Sequence, residues 1–182
     1  MNIRLAAAEF HLPRRLRERG FRRLFTLAAR AFGCDAAFVH GLPYGGMTEE
    51  FAMFTAQQSL KCLRDEASAP EVANRLRESA FEFGREIRSV LGLKTRSDVM
   101  RAARLLYRIL GIDFRGASDG GIIVAKCCFA RFYSPETCEF ISALDEGILA
   151  GLAGAGTLSF KGRITGGLPI CTACFRFPEG MP

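Results

Sequence analysis

With 182 residues, 49% of them hydrophobic and 24% charged, the chain is long enough to bury a sizeable core and too apolar for a disordered segment. No apolar run approaches the roughly 18 residues that a membrane-crossing helix needs, which excludes a spanning segment and predicts no membrane partner. The net charge of +6 is localised: residues 1–33 hold eight Arg against two Glu, and the remainder balances to zero.

Glu9, His11 and Pro13 interrupt the first apolar stretch before a secretion signal could form, and seven cysteines, an odd number, do not resemble a secreted disulfide framework. The expected location is the cytoplasm. Pro13 suits the first turn of a helix ending at Phe32 with Gly33 as its stop. Leu12, Leu16, Leu24, Leu27, Ala28 and Ala31 would dock on the core and leave the arginines in solvent. No nucleic-acid recognition motif accompanies them, which argues against a nucleic-acid partner.

A turn-rich loop over residues 40–46 follows, and Thr48 is expected to cap a second helix reaching about Asp65. Ser68 and Glu71 have the spacing of a capping box, opening a third helix with Val72, Leu76, Phe83, Ile87 and Val90 on one face and Gly92 at its end. Thr95 and Asp98 repeat that pattern before a fourth helix stopped by Gly111. After Asp119-Gly-Gly121 the β-branched run at Ile122 predicts a strand continuing to Phe129. Ser134-Pro135-Glu136 then starts a helix through Leu152, and strands follow at 157–164 and 171–177. The expected class is α+β: one domain over 1–182, with a mainly helical part (1–111) layered on a small, mostly antiparallel sheet with one further helix (112–182).

Five of the seven cysteines lie in the last 56 residues: Cys127, Cys128, Cys138, Cys171 and Cys174. Four thiolates could hold zinc or an iron-sulfur cluster, and three would leave an open position for water or substrate. Buried free cysteine is equally at home as a small hydrophobe. Strand periodicity turns Cys171 away from Cys174 unless the backbone bends, and Cys128 away from Cys127. Cys138, near a helix N-terminus, is also a candidate nucleophile, but the two histidines, His11 and His40, are remote from it. Asp145 lies two turns beyond Cys138 on an otherwise apolar face, so it is either an acid/base group or the partner of Arg131, Arg163 or Arg176.

The series Cys127, Pro135-Glu-Thr-Cys138, Leu144-Asp-Glu-Gly147, Thr165-Gly-Gly167 and Cys174-Phe-Arg-Phe177 resembles the L-2-amino-thiazoline-4-carboxylic acid hydrolase family over about residues 105–177. More distantly it is similar to the 4-vinyl reductase type of small-ligand-binding domain. The resemblance implies hydrolysis of a C=N bond in a small heterocycle, with Cys127, Cys138, Asp145 and Cys174 as site positions. In that expectation Cys127, Cys138 and Cys174 hold a metal ion, Cys171 is a fourth candidate ligand, and Asp145 activates water. The alternative is a sensory or redox module with a four-cysteine zinc or iron-sulfur site, its ligand pocket lined by Phe51, Phe54, Phe81 and Phe83. A small molecule is the expected partner, and a homo-oligomer is left open.

Overall fold

A computed structural model describes residues 2–34, 44–65 and 67–182. Five helices come first: α1 (Ile3–Phe10), α2 (Arg14–Ala31), α3 (Tyr44–Arg64), α4 (Ala69–Leu91) and α5 (Arg96–Ile109). β1 (Ile112–Gly116), β2 (Gly121–Cys127), α6 (Pro135–Ala153), β3 (Thr157–Gly162) and β4 (Cys171–Arg176) complete the chain, with 3-10 turns at Cys128–Arg131 and Ile164–Gly166. The four strands form one antiparallel sheet in the order β1-β2-β4-β3, so the fold is α+β, as the sequence pattern predicts. No helix among the described residues is long and apolar enough to cross a membrane.

The helix boundaries follow from capping chemistry with some departures. Thr95 accepts from the Asp98 backbone while the Asp98 side chain reaches back to the Thr95 N–H, so the expected capping box forms. Ser134 caps α6 by accepting from the Thr137 N–H at 3.2 Å. Ser68 does not cap α4 through its side chain; its own backbone is helical, and its hydroxyl bonds the Asp65 carbonyl instead. Thr48 lies inside α3, which already begins at Tyr44, while the expected turn at 40–43, with His40, falls outside the described residues. Gly92 and Gly154 end α4 and α6 at φ 64° and 92°, where a side chain would be strained.

Packing corrects two expectations of periodicity. Phe21, Leu24, Phe25 and Ala28 form the buried stripe of α2, and Leu16, lying off that stripe, is 53% exposed. In α4 the buried set is Val72, Leu76, Ala80, Phe83 and Gly84, and Val90 projects outward past the end of the core. Two elements had no strong sequence signal: α1, which is two turns long, and β1, whose five residues alternate Ile112 and Phe114 inward against Asp113 and Arg115 outward.

Helix α6 is buried nearly all round and acts as the centre of the molecule, between α4 on one side and the sheet on the other. It approaches α4 through glycines. A Cβ at Gly84 would strike the Ile148 carbonyl oxygen, one at Gly147 the Arg77 carbonyl, and one at Gly151 the Phe81 carbonyl. Backbone therefore meets backbone there. One continuous hydrophobic cluster runs from Leu5 in α1 to Phe175 in β4.

Candidate functional site

Two adjoining hollows of about 80 and 70 Å3 lie where α5, α6, β2 and β4 meet, and Cys127, Cys138, Asp145 and Cys171 line both. Each is about half the volume of a cavity known to admit a single ring. Leu24, Phe51, Phe114 and Ile148 contribute to apolar walls. Of the four phenylalanines expected to surround a ligand, only Phe51 lines these hollows; Phe54 stacks on Phe25 at 5.0 Å, and Phe83 belongs to the core.

Local structure determines which cysteines meet. Cys138 sits in the first turn of α6, and Asp145, seven residues later, falls on the same helix face. Cys127 ends β2 and Cys171 begins β4. In β4 the inward positions are Cys171, Ala173 and Phe175, which puts Cys174 on the opposite face, away from the hollows. Strand alternation thus separates the last pair, and Cys171 rather than Cys174 joins the site. Cys128 also stays out: its thiol donates to the Leu110 carbonyl at 3.0 Å.

The expected zinc or iron-sulfur site gains no support from this donor set. Among the described residues no three His, Cys, Asp or Glu side chains are grouped so as to hold a metal ion. Burial favours the neutral thiol at Cys127 and Cys138. The Cys127 thiol is pushed up to about 12, chiefly by desolvation. Cys138 is raised for the same reason, although the Thr165 hydroxyl and the Arg163 charge pull it partly back. The Cys171 sulfur accepts a bond from the Ile164 N–H at 3.3 Å.

Asp145 behaves differently. Enclosed by protein, with its remaining surface facing the hollows, its carboxyl is pushed up from 3.8 to about 6; desolvation raises it, while the Tyr107 hydrogen bond and the Arg163 charge act in the opposite sense. Tyr107 Oη donates to Asp145 Oδ1 at 2.8 Å. Burial, with Asp145 beside it, holds the Tyr107 phenol well above its ordinary value, so it remains a donor. Of the three arginines considered as partners, Arg163 is the one whose charge reaches Asp145; Arg131 pairs with Glu49, and Arg176 lies on an exposed position of β4.

Arg163 follows β3. Its guanidinium lies over the Phe160 ring, 3.8 Å from the centroid, and Nη2 donates to Ser142 Oγ at 3.3 Å. Nη1 is buried and has no hydrogen-bond partner among the described residues. Thr165 Oγ1, on the hollow's wall, is buried too; it lies close enough to Cys138 to lower that thiol's pKa, yet no well-aligned hydrogen bond satisfies it. Buried donors left this way cost about 1–3 kcal/mol each unless something else completes them. A second polar pair is buried beside the hollow that Tyr133 lines. Thr55 has one hydroxyl hydrogen, and the Phe51 carbonyl at 2.7 Å takes it, so Tyr133 Oη, 2.6 Å away, donates to Thr55.

Sequence reasoning found Asp145, Cys127, Cys138 and Cys171 and missed Tyr107 and Thr165. Tyr107 was legible in principle, as it stands one turn after Ala103 on the buried face of α5 and carries that face's hydroxyl. Thr165 stood in the Thr165-Gly-Gly167 motif but not among the expected site positions, because a 3-10 turn carries no periodicity to show where its side chain points. In comparisons with family models, curated proteins and solved structures, nothing matches this chain, so the likeness to thiazoline hydrolases rests on the motif residues alone.

Proposed function

We propose that the hollow beside α6 binds a small cyclic molecule and that Asp145 acts there as acid and base in the hydrolysis of a C=N bond. The observation that carries this reading is a half-buried carboxyl pushed up to about 6 where it lines two adjoining hollows, because a group that exchanges its proton near neutral pH is the one suited to acid/base work. The unpartnered Arg163 Nη1 supports it, as an acceptor group on the ligand would complete that donor. The apolar walls would hold the ring and exclude bulk water.

In this reading protonated Asp145 donates to the ring nitrogen, making the adjoining carbon a better electrophile. Water adds through its oxygen to that carbon and passes a proton to the Asp145 carboxylate. Asp145 then protonates the nitrogen a second time as the C–N bond breaks. The oxygen remains on carbon as a carbonyl, and its last proton returns to Asp145, so the carboxyl ends as it began. Tyr107 positions the carboxyl through Oδ1 and leaves Oδ2 for the substrate. No step runs through a metal ion.

A second reading, a binding module without turnover, is favoured by the mainly apolar lining and by thiols held neutral. The two separate in one experiment with 2-amino-thiazoline-4-carboxylic acid as probe, following both product and thermal stabilisation. Hydrolysis lost in Asp145→Asn, with binding retained, supports the enzyme. Stabilisation without product, weakened about tenfold or more by Arg163→Gln, supports the binding module. Absence of both removes this class of ligand.

A further inference from the structure

Helix α1 carries its apolar stripe on the outside. Ile3, Ala7 and Phe10 are spaced four and three residues apart, which places them on one face, and all three are exposed, Phe10 at 94% and Ile3 at 76%. The opposite side is fastened to the body. Leu5 is fully buried, Asn2 Nδ2 donates to the carbonyls of Leu91 and Gly92 at 3.0 and 3.1 Å, and Glu9 is held by both Nε and Nη2 of Arg101. Rolling α1 to hide the stripe would break all of these contacts.

The surroundings of the stripe are basic. Arg4 Nη1 bonds the Val90 carbonyl at 3.3 Å, which brings Val90, itself 69% exposed, beside the start of α1. At the other end Phe10 shares a basin with Glu9, Arg14, Arg17 and Arg108; Glu9 is paired with Arg101, and Arg14 bonds Glu18 at 2.7 Å, leaving the basin net positive. Residues 14–17 are all exposed, so the first turn of α2 stands clear of the body. The segment 1–33, with eight Arg against two Glu, holds the whole charge excess of the chain.

We infer, against the expectation of no membrane partner, which rested only on the lack of a spanning run, that α1 and the start of α2 form a surface that docks on an anionic lipid bilayer, with Ile3, Ala7 and Phe10 entering the headgroup boundary and Arg4, Arg14, Arg15 and Arg17 meeting lipid phosphates. An outward apolar stripe flanked by cations matches an interface that is apolar below and negative above. A second copy of the chain would bring the same positive charge against itself. A nucleic acid would satisfy the arginines but leave Ile3 and Val90 in water. This inference is independent of the site beside α6.

The test is co-sedimentation of the full chain with vesicles of phosphatidylcholine alone and of phosphatidylcholine mixed with phosphatidylglycerol. The expected result is association with the mixed vesicles, weakened by high salt and reduced by about tenfold or more in the double variant Ile3→Ser, Phe10→Ser. Both positions are exposed, so circular dichroism and the melting temperature should match the parent. No association with the mixed vesicles, or equal association by a folded double variant, overturns the inference. So does a dimer that the double variant converts to monomer, or retention of a single-stranded oligonucleotide in preference to vesicles.

Discussion

Tyr107 on α5 donates its hydroxyl hydrogen to Asp145 Oδ1 on α6 across 2.8 Å, joining two helices at the point where both face the sheet. The bond favours the carboxylate, but desolvation outweighs it and leaves Asp145 titrating at about 6. That balance gives the molecule a pH-dependent element at its centre.

Asp145 should make the protein less stable as pH rises. Between 3.8, the ordinary value, and about 6, the folded state holds a proton that the unfolded chain has released, so stability falls through this window and stays lower above it. At about 1.4 kcal/mol per pH unit the full effect is on the order of 3 kcal/mol. Asp145→Asn, which is never charged, should melt higher than the parent at pH 8, with the gap narrowing toward pH 4. Melting curves across that range check it, and a gap that is constant with pH would contradict the assignment.

The α4–α6 contact should not tolerate side chains. Gly84→Ala and Gly151→Ala each drive a methyl group into backbone of the facing helix and should cost about 1–3 kcal/mol in chemical denaturation. Gly20 in α2 serves as the contrast. Its Cβ would meet nothing within 4 Å, so Gly20→Ala should raise stability by about 0.5–1 kcal/mol. A destabilised Gly20→Ala together with neutral Gly84→Ala would mean that the helices pack differently.

The thiols in the hollow should behave as core groups. With its thiol pushed up to about 12, Cys127 should resist alkylation of the native protein at pH 8 and react at an ordinary rate once the chain is unfolded. A strong chelator should leave the melting temperature unchanged, because among the described residues no three such donors are grouped so as to hold a metal ion. Mass spectrometry and elemental analysis read these two outcomes. A stoichiometric metal whose removal unfolds the protein would reverse the conclusion.

Much of the candidate site was legible in the sequence, because helical spacing alone carries Cys138 and Asp145 on one face and strand alternation alone separates Cys171 from Cys174. Which member of that last pair turns inward was not legible. Alternation establishes that the two differ, and only pairing of β4 with β2, Val124 opposite Cys171, decides the inward one. Arg163 stood among three candidate partners, and burial of Nη1 over Phe160 distinguishes it.

The sequence by itself determined the α+β class, the helices from α2 to α6 with small shifts at their ends, and the concentration of positive charge in the first 33 residues. These follow from periodicity, capping residues and composition, which are local. Tertiary structure alone decided that Asp145 is enclosed with Tyr107 against it, that Cys174 faces away from the other sulfurs, and that α1 turns its apolar stripe outward. Each depends on what a neighbouring element covers. Desolvation, donor convergence and exposure arise between segments distant in the chain, and no local pattern encodes them.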